Sequence, residues 1–330
     1  GVGTEWHNTT SGEVYICTDA TAGANKWINI GEGSGHIDPW SYPASTYGYT
    51  MGGGWPSVTA QNYIQRYSTV SDANSVDWAD LSVARISLAS GQRSITYAYA
   101  SGGGPAPIKD TIDKFPFASQ TNAVDVGNLT VARASPTGAS SGTYCYTAGG
   151  APAPANIIDK FPVASDSNAT DVGDLLTHNS QGYGASSTTH GYQSAGYNFA
   201  PSPAGNSNVI QKWSFSADGN STDVGDTTTA RDGRVSESSL THGYCGNDYY
   251  TATKLDKFTF ASDANATNVG NLAGSNSRGQ GGGASSIDNG YFATGWNVNV
   301  INKFSHSSDG NGVDVADLAI TTTDCSGNHG

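Results

Sequence analysis

Ile158-Asp159-Lys160-Phe161, followed by Asp171-Val172-Gly173-Asp174, is the stretch whose reading decides the fold. The aliphatic–polar–basic–aromatic tetrad recurs at Ile64-Gln65-Arg66-Tyr67, Ile112-Asp113-Lys114-Phe115, Ile210-Gln211-Lys212-Trp213, Leu255-Asp256-Lys257-Phe258 and Ile301-Asn302-Lys303-Phe304. The aromatics are separated by 48, 46, 52, 45 and 46 residues. Ten residues after each stands an acid or amide: Asp77, Asp125, Asp171, Asp223, Asn268 and Asp314. A second strand signal precedes each tetrad, around Tyr49, Tyr99, Tyr146, Tyr192, Tyr244 and Tyr291, and is usually followed by Gly. Self-similarity at this period is the signature of a repeat architecture.

Strand alternation puts i and i+3 on opposite faces, so the apolar ends of the tetrad call for a flank or a bulge. Between tetrad and acid lies an Asx-rich turn such as Asp166-Ser167-Asn168-Ala169-Thr170, whose side chains can bond the backbone and close a hairpin. Each repeat supplies about four short strands, the size of one propeller blade, and a ring of such sheets buries faces that one sheet leaves exposed. The expected architecture is all-β: a six-bladed β-propeller over residues 37–330. Its C-terminal segment, Ser326 to Gly330, is aligned with Ser186 to Gly191 and is expected to close the first blade, removing an exposed edge. Residues 1–36 do not fit the repeat. Thr4 to Asn8, Glu13 to Cys17 and Lys26 to Ile30 read as a small β-meander module, with Gly31-Glu32-Gly33-Ser34-Gly35 as a flexible linker.

Composition agrees with this class. The chain of 330 residues has 43 Gly and only 13% charged residues; no stretch has sustained helical periodicity, and no run of eighteen apolar residues spans a membrane. The net charge of −13, without a basic cluster, argues against a nucleic-acid partner. The chain opens at Gly1 without Met or a signal-like core, as a processed chain or an excerpt would. Cys17, Cys145, Cys245 and Cys325 lack metal-like spacing and are expected as free buried thiols, with disulfides as the alternative.

The repeats resemble the kelch family. Tyr146-Thr147-Ala148-Gly149-Gly150 is similar to its di-glycine strand, Ile158-Asp159-Lys160-Phe161 to the strand that follows, and Arg85, Arg133 and Arg231 to its closing basic residue. The resemblance covers residues 43–330 and implies a kelch-like propeller. The sequence departs from the family by lacking its Trp after the turn, and by carrying Asn179, Asn276 and Thr322 in place of the basic residue in three copies. Phrases such as Asn168 to Leu175 and Thr189-His190-Gly191-Tyr192, with the N-terminal module, resemble tail-fibre and other virion structural proteins of marine bacteriophages. That resemblance implies a virion location, other virion proteins as partners, several copies per particle, and recognition of a host-surface glycan or envelope protein. An architectural virion subunit, a secreted adhesin and a propeller hydrolase are the alternatives.

Catalytic and metal chemistry find little support. Asp166, Asn168 and Asp171 are spaced somewhat like calcium ligands, but the following Gly and the distal Glu are missing, and turn chemistry accounts for them. Asn-x-Thr sequons at Asn8, Asn128, Asn168, Asn220 and Asn265 are explained in the same way. His190, His242 and His329 are aligned at one repeat position, beside Tyr47, Tyr144 and Asn289. No nucleophile elbow, metal-ligand pair or cofactor motif stands out, so the chain is not expected to be an enzyme. The Asp-x-Asn turns should share one face of the propeller, leaving varied loops on the other. Trp55, Tyr197, Phe199, Tyr249, Tyr250 and Trp296 on those loops are the candidate ligand-binding residues.

Overall fold

The computed structural model describes residues 1–8, 13–22, 24–30, 46–54, 59–152, 156–199, 204–233, 235–246, 253–273, 281–293 and 298–330. Among the described residues the chain is all-β, and it divides into two compact units, Gly1–Ser41 and Tyr42–Gly330. The first unit is a three-stranded antiparallel sheet of Glu5–His7, Val14–Asp19 and Lys26–Asn29, with Tyr15 and Cys17 buried and Trp6 lying on Tyr15.

The second unit consists of six small antiparallel sheets. The third shows the plan: Thr137–Ser140, Tyr144–Ala148, Ile157–Pro162 and Thr170–Asp174 pair in sequence order. The fourth sheet adds the short strand Asn179–Ser180. The first sheet takes its first strand from the far end of the chain, where Ser326–His329 pairs antiparallel with Tyr47–Met51. The register places Asn328 opposite Tyr49, so Ser326–His329 corresponds to Tyr183–Ser186 and not to residues 186–191. His329 is therefore buried in a first strand and does not share the position of His190 and His242, which open second strands.

The tetrad strand needs no bulge of its own, because both of its faces are covered. Ile158 and Phe161 are buried on opposite faces, and Asp159 is buried as well. The bulge lies in the fourth strand, where Ile158 faces Gly173 but Asp159 faces Asp171, leaving Val172 unmatched. The same register shift occurs in all six sheets. The acid ten residues after the aromatic steadies it in three sheets: the Gly127, Gly173 and Gly225 N–H groups donate to Asp125, Asp171 and Asp223 at 3.1, 3.2 and 3.0 Å.

The core lies between consecutive sheets. The second-strand Tyr of each sheet meets the tetrad aromatic of the next: Tyr49 with Phe115, Tyr99 with Phe161, Tyr146 with Trp213, Tyr192 with Phe258, Tyr244 with Phe304, and Tyr291 of the sixth sheet with Tyr67 of the first. First strands approach closely through small residues. A Cβ on Gly138 would stand 2.0 Å from Ser90 O, and one on Gly283 1.8 Å from Ser236 O. Serine hydroxyls bridge them, as the Ser140 N–H donates to Ser186 Oγ (3.0 Å) and the Ser186 N–H to Ser238 Oγ (2.8 Å).

Polar residues tie the same junctions. The Asx turn does not close its own hairpin; it reaches the preceding sheet. The Asn128 N–H donates to Asn168 Oδ1 (3.0 Å), and the Asp317 N–H of the sixth sheet to Asn74 Oδ1 of the first (3.0 Å). The tetrad's polar residue caps the preceding sheet likewise, with Asp159 accepting from the Thr130 N–H (3.0 Å), Gln211 from Leu176 (2.8 Å) and Gln65 from Ile320 (2.8 Å).

Three junctions carry a buried ion pair: Arg85 with Asp113 (2.6 Å), Arg133 with Asp159 (2.9 Å) and Arg231 with Asp256 (2.8 Å). Burial pulls the Arg85 and Arg133 guanidinium groups down, and their carboxylate partners oppose it. Where the Arg is missing, the Asp is missing from the next tetrad too. Asn179 precedes Gln211, Asn276 (outside the described residues) precedes Asn302, and Thr322 precedes Gln65 if the sixth repeat is followed by the first. A lone buried carboxylate is costly, so the two positions change together. Arg133→Asn alone is expected to destabilise the protein by about 3–5 kcal/mol. Adding Asp159→Gln, which copies the Asn179–Gln211 junction, should recover most of that loss in urea melts. A double variant no more stable than the single one would refute the pairing rule.

Candidate functional site

The two ends of the sheets differ in what their side chains do. At one end lie the connections between first and second strands and between third and fourth strands. Their Asx groups are committed to neighbouring sheets: Lys160 pairs with Asp218 and Lys212 with Asp263, both at 2.5 Å. Asp166 pairs in the same way with Lys114, Asn168 bonds the Asn128 N–H and Asp171 bonds the Gly173 N–H. These three side chains thus serve three different partners. Among the described residues no cluster of three or more His, Cys, Asp or Glu is placed to hold a metal ion.

At the other end lie the connections from second to third strand and from each sheet to the next. Their anchors are uniform although their lengths vary. Gly103 N–H donates to Arg133 O (2.9 Å), Gly150 N–H to Asn179 O (2.8 Å) and Gly196 N–H to Arg231 O (2.8 Å). Gly102 and Gly103 adopt φ of 68° and 112°, and a Cβ on Gly102 would stand 2.5 Å from Arg133 O, which explains the di-glycine.

Trp55, Tyr249, Tyr250 and Trp296 lie outside the described residues. Tyr197 and Phe199 are described, and the structure brings them together. The insertion in the fourth repeat prolongs its central hairpin into His190–Asn198 and Gly205–Ser214, and Asn179–Ser180 pairs with the extension. Tyr197 meets Phe199 edge-on, with ring centroids 4.9 Å apart, and the Phe199 N–H donates to His178 O (2.8 Å). Phe199 is 46% exposed. Asn206 faces Tyr197 across the hairpin and donates to Asp232 Oδ1 (3.4 Å), while the Tyr183 hydroxyl donates to Asp232 O (3.3 Å). An aromatic pair beside amide and carboxylate groups suits recognition more than bond cleavage.

The thiols offer no nucleophile. All four cysteines are buried and no disulfide joins them, and burial pushes Cys145 up to about 12. On the Asx-turn end, Thr143, Thr189, His190, Ser214 and Phe215 line an open groove of about 490 Å³. Burial, then Lys212, pulls His190 down, so its imidazole is neutral at neutral pH.

One buried cluster escaped the reading of the sequence. Glu237 stands in a first strand where the third, fourth and sixth sheets have Ala139, Ala185 and Ala284, and His306 stands where the second, fourth and fifth have Phe117, Phe215 and Phe260. Their side chains meet at 3.1 Å, the Ser285 hydroxyl donates to Glu237 Oε2 (2.5 Å), and His306 stacks on Tyr244. The signal was present, as a Glu in a strand of small residues, but the partner lies 69 residues away. Burial pulls the His306 imidazole down, but Glu237, the Ile287 carbonyl and Asp288 together outweigh it and the net shift is upward. A raised histidine contributes stability that is complete below its unfolded value, about 6.5, and is lost as pH rises through the folded value. The melting temperature should therefore fall as the pH is raised above about 6.5. Glu237→Ala/His306→Phe, which copies the Ala139–Phe215 and Ala185–Phe260 junctions, should remove that slope, and an unchanged slope would refute the assignment.

Comparison with protein-family models returned no match, and comparison with curated proteins returned none either.

Proposed function

We propose that the second unit is a closed six-bladed, kelch-like β-propeller and that its varied loops recognise a host-surface glycan or envelope protein. The protein would act as a virion structural protein of the tail-fibre or receptor-binding type. Closure is supported by the pairing of Ser326–His329 with Tyr47–Met51, and by sixth-to-first contacts of the same kinds as at the other junctions. Deletion of residues 326–330 is expected to lower the melting temperature sharply, because it unpairs one edge of the first blade. An unchanged melt would refute closure.

The observation that carries the functional reading is the contrast between the two ends of the sheets. Asx side chains at one end are spent on sheet-to-sheet bonds, whereas the other end keeps uniform anchors beneath loops of varied length and carries the exposed Phe199 beside Tyr197. Varied, aromatic-bearing loops on a rigid scaffold are the usual place for recognition. Display in several copies would convert weak single contacts into firm attachment.

The test is binding of the full chain, single and multimerised, to a panel of bacterial capsular and lipopolysaccharide glycans and to extracted envelope proteins. Tyr197→Ala/Phe199→Ala and Trp55→Ala/Trp296→Ala should each weaken saturable binding at least about tenfold without changing the melt. No binding even by the multimer would overturn recognition in favour of an architectural subunit.

A further inference from the structure

At five junctions the tetrad's Lys reaches the Asp that opens the turn of the next sheet: Lys114 to Asp166, Lys160 to Asp218, Lys212 to Asp263, Lys257 to Asp309 and Lys303 to Asp72. Between the first and second sheets this pair is missing. The tetrad there supplies Arg66, and the turn reads Gln120-Thr121-Asn122, with Gln120 in place of the Asp. The turn still docks, since the Asp80 N–H donates to Asn122 Oδ1 (3.1 Å). Arg66 makes no ion pair with any described residue; its guanidinium lies 3.3 Å from the centre of the Trp78 ring and 4.1 Å from that of Tyr47, with the Tyr49 hydroxyl as a polar neighbour.

Trp78 is itself a departure. It occupies the bulge position that holds Val126, Val172, Val224, Val269 and Val315 in the other sheets. Arg for Lys, Trp for Val and Gln for Asp thus fall at one junction, and their combined effect is a stacked cation without an ion-pair partner among the described residues. Stacking occupies the faces of a guanidinium and leaves its in-plane N–H donors free. The adjacent Tyr49 phenol, pushed up to about 12 by burial with Arg66 opposing, stays neutral and supplies no negative charge.

We propose that this junction binds a sugar carrying a single oxyanion, a carboxylate or a sulfate ester. The in-plane N–H groups of Arg66 would donate to two oxygens side by side, and the partly exposed edges of the Trp78 and Tyr47 rings, whose faces hold the guanidinium, would border the sugar. One available guanidinium on an acidic surface matches a monoanion better than a phosphate dianion. The site belongs to the Asx-turn end, so it is independent of the Tyr197 and Phe199 loop.

Calorimetric titration of the full chain with glucuronate, glucose 6-sulfate, glucose and acetate tests this. Glucuronate, glucose 6-sulfate or both should bind, their ratio separating carboxylate from sulfate ester, while glucose and acetate bind at least about tenfold more weakly. Arg66→Gln should weaken the anionic sugar at least about tenfold. Gln120→Asp should do the same while keeping the melt, because it installs the ion pair of the other five junctions and leaves the aromatic stack intact. Tyr197→Ala/Phe199→Ala should leave this binding unchanged, so failure of the loop reading and failure of this one are distinguishable. The proposal is overturned if neither anionic sugar binds the unaltered chain, if glucose or acetate binds as well, or if binding survives Gln120→Asp.

Discussion

Each sheet of the second unit leaves backbone donors at the exit of its fourth strand, and the side chain that accepts from one of them belongs to the next sheet. Asp113, Asp159 and Asp256 do this as carboxylates, and Gln65, Gln211 and Asn302 as amides. A buried N–H without an acceptor is costly, so no sheet is satisfied until its neighbour is in place. The aromatic pairs obey the same logic, because each sheet has one aromatic for the sheet before it and one for the sheet after. Stability on this plan belongs to junctions rather than to sheets, as in other repeat architectures.

The junctions share a frame but not its chemistry. Three use a buried Arg–Asp pair, and three replace both partners with polar neutral residues. Five close the Asx-turn end with a Lys–Asp pair, and one leaves Arg66 stacked, with no ion pair among the described residues. One buries Glu237 with His306 where two others set Ala beside Phe. Such departures cost little locally when both partners change together. When only one partner changes, an unmatched charge is left over, and that is where a ligand gains most.

Much of the fold was legible from the residues. The tetrad, its period and its fixed offset to the acid reported six equivalent four-stranded units, because each tetrad strand must present apolar groups to two neighbours. The return of the chain end to the first sheet was legible too, although its register was three residues from the expected alignment. Small polar residues such as Ser326 to Gly330 carry little alternation, so a slip of this size leaves no mark in the sequence. The turn residues were recognised as turn-formers, yet their partners were assigned to the wrong hairpin. An Asx side chain bonds whichever backbone lies within reach, and here the neighbouring sheet supplies it.

The candidate site was legible only as a list of aromatics on loops of varied length. Tyr197 and Phe199 stand two residues apart, and chain geometry alone puts them near each other. Local sequence therefore determined the strand class, the repeat and the strand ends, because alternation, turn chemistry and spacing act over a few residues. Tertiary structure decided which groups meet across junctions: Glu237 with His306, Arg133 with Asp159, and Arg66 with two rings and no acid among the described residues. Those pairings join residues of different sheets, whose separation is set by the packing of whole sheets and by no pattern within one strand.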